Sequence, residues 1–246
     1  MIGAGEENLM RILEVREKTI SVSRYTDRFL GSNGLNTTAV AVITDARRDG
    51  APVVGFGFAS VGRYGQGGLI RERFAPRLLA AAPDALAAAA GDNLDPIRAW
   101  ELMMADEKPG GHGERSVAVG TLDMALWDAA AKIAGEPLSR FLGRVIGRSL
   151  DFAAVPVYAG GGYYYPANDI GRLTEEIRQL RDGGYTHFKI KIGGRALRED
   201  VARVEAVLGL VPGGEHLAVD AMNRYSPENA AVAVASLASY RLRWLE

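Results

Sequence analysis

The sequence predicts an α+β unit over residues 1–150, followed by a β/α unit over residues 151–246 whose sheet is parallel, open or closed into a barrel. Three observations predict it. Between Arg11 and Ala134, strand-like stretches come first and helix-like stretches follow, the order of an α+β unit. Past Asp151 strands and helices alternate, at about thirty residues per unit. Lysines and carboxylates then fall at the ends of the predicted strands of that second half, where parallel β/α folds keep their chemistry.

The elements follow in order. Arg11 to Ile20 alternates apolar and polar residues in part, and Thr37 to Thr44 is rich in Val, Ile and Thr, as strands are. Asp45 to Ala51 reads as a charged turn containing Asp49-Gly50, and Pro52 to Phe58 resumes an apolar run. Together they predict an antiparallel meander. Leu69 to Ala80, Pro96 to Met104 and Ser116 to Ala134 then show three-four spacing, the last stopped by Gly135 and Pro137. In the second half the predicted strands are Phe152 to Tyr158, Thr186 to Ile192, Leu217 to Asp220 and a last one starting at Arg243. The predicted helices are Asp169 to Arg181, Leu197 to Leu210 and Pro227 to Tyr240. Ser226 is placed to cap the last helix, with Pro227 at its first position. If the second half is a barrel, about four of eight strands are present. A half barrel would expose an apolar face and a bare edge, so an incomplete chain is expected; a complete small open α/β domain is the alternative.

Composition narrows the function. In 246 residues, 29 Lys+Arg stand against 30 Asp+Glu, for a formal charge of −1. That balance removes the electrostatic case for nucleic-acid or polybasic membrane binding. No stretch approaches the ~20 apolar residues of a membrane span, and the start does not read as a signal peptide. There are no cysteines, so thiol catalysis and thiolate metal sites are excluded, and any metal sits on oxygen or nitrogen. A cytoplasmic location is the default expectation.

Lys189 and Lys191 alternate with Ile190 and Ile192 along one strand, so both lysines share a face. Crowded, partly desolvated ammonium groups are expected to lower at least one pKa and yield a neutral lysine as a base. A solvated edge strand is the bland alternative. Asp220 and Glu246 end successive predicted strands, and two hard oxygen ligands on one rim suit Mg²⁺. Asp220 alone could equally cap a helix. A lysine base with a divalent cation points to removal of a proton α to a carboxylate, with the cation stabilising the enediolate.

These residues carry a resemblance to the enolase superfamily, mandelate racemase subgroup: the Lys189-Ile190-Lys191 pair, Asp220 after Ala218-Val219, and Trp244-Leu245-Glu246. Within it the chain is most similar to the D-tartrate dehydratase family, through Gly62 to Phe74, Asn93 to Pro96, Asp106 to Thr121 and Gly161 to Pro166. The resemblance implies a capping domain and a modified (β/α) barrel. It implies Lys191 as the α-proton base with Lys189 beside it, and Asp220 and Glu246 as two of three Mg²⁺ ligands. Lys108, Tyr165 and Asn223 are implied as substrate-contacting residues. The implied reaction is loss of water from a small hydroxy acid, in a homo-oligomer. A racemase or epimerase on the same site, and a non-catalytic fragment, are the rivals. Met222 stands where the family has Asn, and Val61 where the tartrate enzymes have Asn, so the substrate stays open. The third ligand and the acid for the leaving group are expected beyond residue 246. His112 is expected to contact substrate or be structural, His187 to pack low in the barrel and His216 to be on the surface. The glycine loops Gly65 to Gly68 and Gly110 to Gly113 read as closing loops or as plain turns.

Overall fold

The computed structural model describes residues 9–23, 35–59, 65–110, 113–148 and 154–246. The chain divides into two compact units, Met1–Asp151 and Phe152–Glu246.

The first unit opens with β1 (Ile12–Ser23), β2 (Leu35–Arg48) and β3 (Ala51–Phe58), an antiparallel sheet in the order β1-β2-β3. β2 runs through the stretch read as a charged turn, leaving only Asp49-Gly50 as the tight connection. Both residues have positive φ, the two-residue geometry that suits a twisted hairpin. Helices follow: α1 (Gln66–Leu69), a π-helical stretch (Ile70–Phe74), α2 (Ala75–Ala80), α3 (Pro83–Leu86), α4 (Pro96–Met104), α5 (Glu114–Ala134) and α6 (Leu138–Val145). α4 starts sharply because the Asp95 carboxylate accepts from the backbone N–H groups of Ile97 and Arg98. α5 ends at Gly135, which takes the left-handed conformation at φ 70°.

α5 packs directly on β2 and β3. Gly55 and Gly57 face it so closely that a Cβ on Gly55 would lie 2.0 Å from the Ala125 carbonyl oxygen. Val40 and Val42 of β2 meet Leu122, Leu126 and Phe74 in the core of this unit. On the open side of β3, the Phe56 N–H donates to Asp128 (2.7 Å) and the Val54 carbonyl accepts from Lys132 Nζ (2.9 Å), while Lys132 and Asp128 pair at 2.6 Å.

The second unit holds β4 (Ala159–Gly160), α7 (Asp169–Asp182), β5 (Phe188–Lys191), α8 (Leu197–Leu208), β6 (Leu217–Asp220) and α9 (Pro227–Leu237). The strands are parallel in the order β4-β5-β6. Leu245 adds a parallel bridge to Val219, and hydrogen bonds from Val219 N to the Trp244 carbonyl and from Glu246 N to the Val219 carbonyl hold it there. Strand then helix then strand, with the strands parallel, is the β/α pattern expected. Phe188, Ile190 and Ile192 point into a core with Leu173 and Ile177 of α7 and Val204 and Val207 of α8.

The first strand of this unit differs from expectation. Residues 154–158 form no ladder, and pairing begins only at Ala159. Val155 and Val157 are exposed, and Pro156 has no N–H to give. Among the described residues, no helix is long and apolar enough to cross a membrane.

Candidate active site

The register of β5 against β6 sets Lys189 beside Ala218 and Lys191 beside Asp220. Ile190 is fully buried under the helices, so the alternation of a strand turns both lysines to the other face. There Lys191 Nζ donates to Asp220 Oδ2 at 2.5 Å, and Lys189 Nζ lies 3.5 Å from the same oxygen. Lys189 also donates to Glu246 Oε2 at 2.8 Å. The structure thus brings together four of the residues singled out in the sequence. Both lysine side chains are largely covered, whereas the Glu246 side chain is 57% exposed.

The electrostatics correct one expectation. Burial pulls the Lys189 pKa down, but the hydrogen bond to Glu246 and the charges of Asp220 and Glu246 outweigh it, and the pKa is raised. The repulsion argument counted two ammonium groups and left out the carboxylates between them. For Asp220, burial pushes the carboxyl up. The Lys191 hydrogen bond, the Met222 N–H and both lysine charges prevail, and its pKa is lowered.

Two aromatic residues belong to this group that the sequence reading did not single out. Lys189 Nζ lies 5.5 Å from the centroid of the Tyr158 ring, and Lys191 Nζ lies 5.4 Å from that of Tyr163. Trp244 packs edge-on against Tyr158 at 5.2 Å. Both tyrosines sit in irregular chain beside β4, where no periodicity betrays which way a side chain turns. The run of three tyrosines at 163–165 was the available signal.

The remaining named residues lie elsewhere. The Tyr165 hydroxyl donates to Glu176 Oε2 (3.1 Å), and its ring lies 4.1 Å from the Arg172 guanidinium carbon. The Asp220 Oδ1 accepts from Met222 N (2.8 Å), and Met222 and Asn223 both adopt left-handed conformations at φ 56° and 57°. The half-buried residue of that turn is Met222; Asn223 is exposed. Lys108 belongs to the first unit. Its carbonyl accepts from Arg115 (2.8 Å), whose guanidinium also meets the buried Glu107 together with Arg73 and Arg77. His187 and His216 stack at 4.6 Å just before β5 and β6, at the strand ends opposite Lys191 and Asp220. Val61 and His112 lie outside the described residues.

Asp220 and Glu246 offer hard carboxylate oxygens that converge on one ammonium. That donor set fits Mg²⁺, which keeps several waters and needs few protein oxygens. Among the described residues, no group of three His, Cys, Asp or Glu side chains converges on a metal position.

A parallel β/α unit therefore gathers two lysines of β5, Asp220 at the end of β6 and Glu246 beside it into one charged cluster. Residues 172–246, which lie within the second unit, match the family described as enolase C-terminal domain-like. The chain is 33% identical over 121 residues to arabinonate dehydratase of Saccharolobus solfataricus, covering 48% of this chain and 31% of that protein. It is 27% identical over 215 residues to L-talarate/galactarate dehydratase of Salmonella typhimurium, covering 86% and 49%. Its structure is similar to that of a racemase from Streptomyces coelicolor solved with bound magnesium, with a TM-score of 0.68, 25% identity, and coverage of 96% of this chain and 62% of that one. The chain therefore spans a third to a half of the length of these curated relatives.

Proposed function

We propose that this protein removes water from an acid sugar. Lys191 takes the proton α to the substrate carboxylate, the carbon–hydrogen electron pair passes into an enediolate, and collapse of the enediolate expels the β-hydroxyl as hydroxide, which takes a proton from solvent and departs as water. The observation that carries the reading is the convergence of Lys189 and Lys191 on Asp220 and Glu246. Asp220 and Glu246 would hold Mg²⁺, which would supply positive charge to the substrate carboxylate. The ammonium of Lys189, on the same face of β5 as Lys191, attracts the substrate carboxylate. Tyr158 and Tyr163 cover the lysine side chains against water.

The names of the relatives support an acid sugar as the substrate class. A tartrate-like diacid is the finer assignment. It rests on the sequence segments Gly62 to Phe74, Asp106 to Thr121 and Gly161 to Pro166, with Lys108, Tyr165 and Asn223 as substrate-contacting residues. The substrate is a small hydroxy acid, and the working form is a homo-oligomer.

The test is incubation with Mg²⁺ in D₂O with D-tartrate, galactarate, L-talarate and arabinonate, following loss of the α-proton by NMR and formation of the 2-keto acid. Exchange with keto-acid formation that vanishes in Lys191→Met supports the reading. Exchange retained in Lys191→Met removes Lys191 from the base role, and no exchange with any acid sugar refutes the assignment in favour of a non-catalytic chain. A second reading, a racemase or epimerase, has support from the similarity to the Streptomyces racemase. It predicts exchange with inversion and no keto acid.

A further inference from the structure

Behind the lysine strand lies a buried polar cluster that the chemistry above does not use. Arg203 of α8 is 1% exposed; its guanidinium binds Asp169, at the start of α7, and the Gly162 carbonyl at 2.5 Å. The Tyr164 ring lies 4.3 Å from that guanidinium. Asp200, one turn earlier on α8 and also 1% exposed, accepts from the Tyr164 hydroxyl (2.5 Å) and from the Gly193 N–H (2.8 Å). The Tyr164 oxygen accepts in turn from the Gly194 N–H (2.9 Å).

Both sides of Lys191 are tied into this cluster. The Lys191 N–H donates to the same Gly162 carbonyl that Arg203 holds (3.3 Å). Two and three residues further on, Gly193 and Gly194 are fixed by Asp200 and Tyr164. Tyr163, which carries the ring facing the Lys191 ammonium, sits between Gly162 and Tyr164 and is held at both neighbours. The packing admits little slack. A Cβ at Gly162 would lie 2.7 Å from Ile190 Cβ, and one at Gly194 would lie 2.4 Å from the Tyr164 ring. Burying a carboxylate and a guanidinium is costly, and apolar residues of the same volume often stabilise an interior as well. What the ionic set adds is one fixed arrangement of two loops around one lysine.

We propose that Asp200, Tyr164 and Arg203 are positioning residues for Lys191, fixing the direction of its ammonium at the end of β5 and its place against Tyr163. Only the kinetic consequence rests on the dehydratase reading; the geometric claim stands by itself.

The test is NMR of the 246-residue protein with labelled lysine. With Lys191 Nζ 5.4 Å from its centroid, the Tyr163 ring is expected to shift the Lys191 ε-methylene resonance upfield. Lys191→Met identifies the signal, and Tyr163→Leu gives its unshielded position. In Tyr164→Phe and Asp200→Asn, with far-UV circular dichroism unchanged, the resonance is expected to move at least halfway to the Tyr163→Leu position. With a substrate that exchanges, kcat for α-proton loss is expected to fall about a hundredfold at unchanged KM, the cost of a small misplacement of a reacting group. A resonance that stays at its wild-type position in folded Tyr164→Phe overturns the proposal. If Asp200→Asn fails to fold, Tyr164→Phe, which removes a single hydroxyl, decides alone. If the resonance moves but the wild-type protein exchanges no substrate, the positioning claim stands and the dehydratase reading falls.

Discussion

Replacing Arg203 by Met keeps most of the side-chain volume and removes the guanidinium. The group lost is the fully buried partner of Asp169, whose own side chain is 9% exposed, and of the Gly162 carbonyl. Removing one member of a buried ion pair costs about 3–5 kcal/mol, because the other charge stays behind without compensation. Asp169 keeps some relief. It stands at the start of α7 and still accepts from the Tyr165 N–H at 2.7 Å, so the lower end, about 3 kcal/mol, applies. For a unit the size of Phe152–Glu246, each kcal/mol shifts the midpoint by about 4–8 °C. The calorimetric transition of that unit should therefore drop by about 12–24 °C. Asp169→Asn removes the stranded charge while its oxygen can still serve Tyr165. The double variant should accordingly be more stable than the sum of the single changes predicts, by about 0.5–3 kcal/mol. A drop below about 4 °C in Arg203→Met, or strict additivity in the double variant, would refute the reasoning, since either would mean that the buried charges are not coupled.

Two further outcomes are expected. Gly55→Ala puts a methyl group 2.0 Å from the Ala125 carbonyl oxygen and 2.6 Å from the Ala129 nitrogen, atoms of helix backbone that no rotamer can move. It should cost about 1–3 kcal/mol in urea denaturation. Gly68→Ala, where nothing lies within 4 Å, is the control, and equal losses would show that the close approach of α5 is not the cause. The lowered pKa of Asp220 gives a pH dependence of definite sign. Its contribution to stability is present above the unfolded value of about 3.9 and is lost as pH falls through the lower folded value. Without divalent cations, the urea midpoint of the wild-type protein should therefore fall more steeply below about pH 4 than that of Asp220→Asn; parallel curves would contradict the assignment.

The parts of this protein legible in its sequence are those governed by a period or a cap. The start of α4 follows from Asp95 and Pro96. The lysine pair follows from strand alternation, and its meeting with Asp220 from parallel pairing of β5 and β6. What escaped depends on environment. Residues 152–158 read as a strand in the sequence, but the described part, 154–158, has exposed valines and a proline and forms no ladder. Helix α6 follows Pro137 too soon after α5 to stand out as a separate period, although Phe141 of that helix packs edge-on against Trp127. The π-helical stretch at Ile70–Phe74 leaves no mark on a three-four pattern. The sign of the Lys189 shift required the distances to two carboxylates, and spacing alone supplies only the other ammonium.

The small set of bonds on the open side of β3 bears on how copies of this chain can meet. An edge strand offers its backbone groups to any passing strand, and proteins commonly blunt such edges with charge. Here the outward N–H of Phe56 and carbonyl of Val54 are already taken by Asp128 and Lys132, which also neutralise one another. A strand from a second molecule would have to break an ion pair and strand both side chains before it could register there. The pair blocks strand addition at this point of the β3 edge. Strand pairing at this stretch of β3 is therefore disfavoured until that ion pair opens.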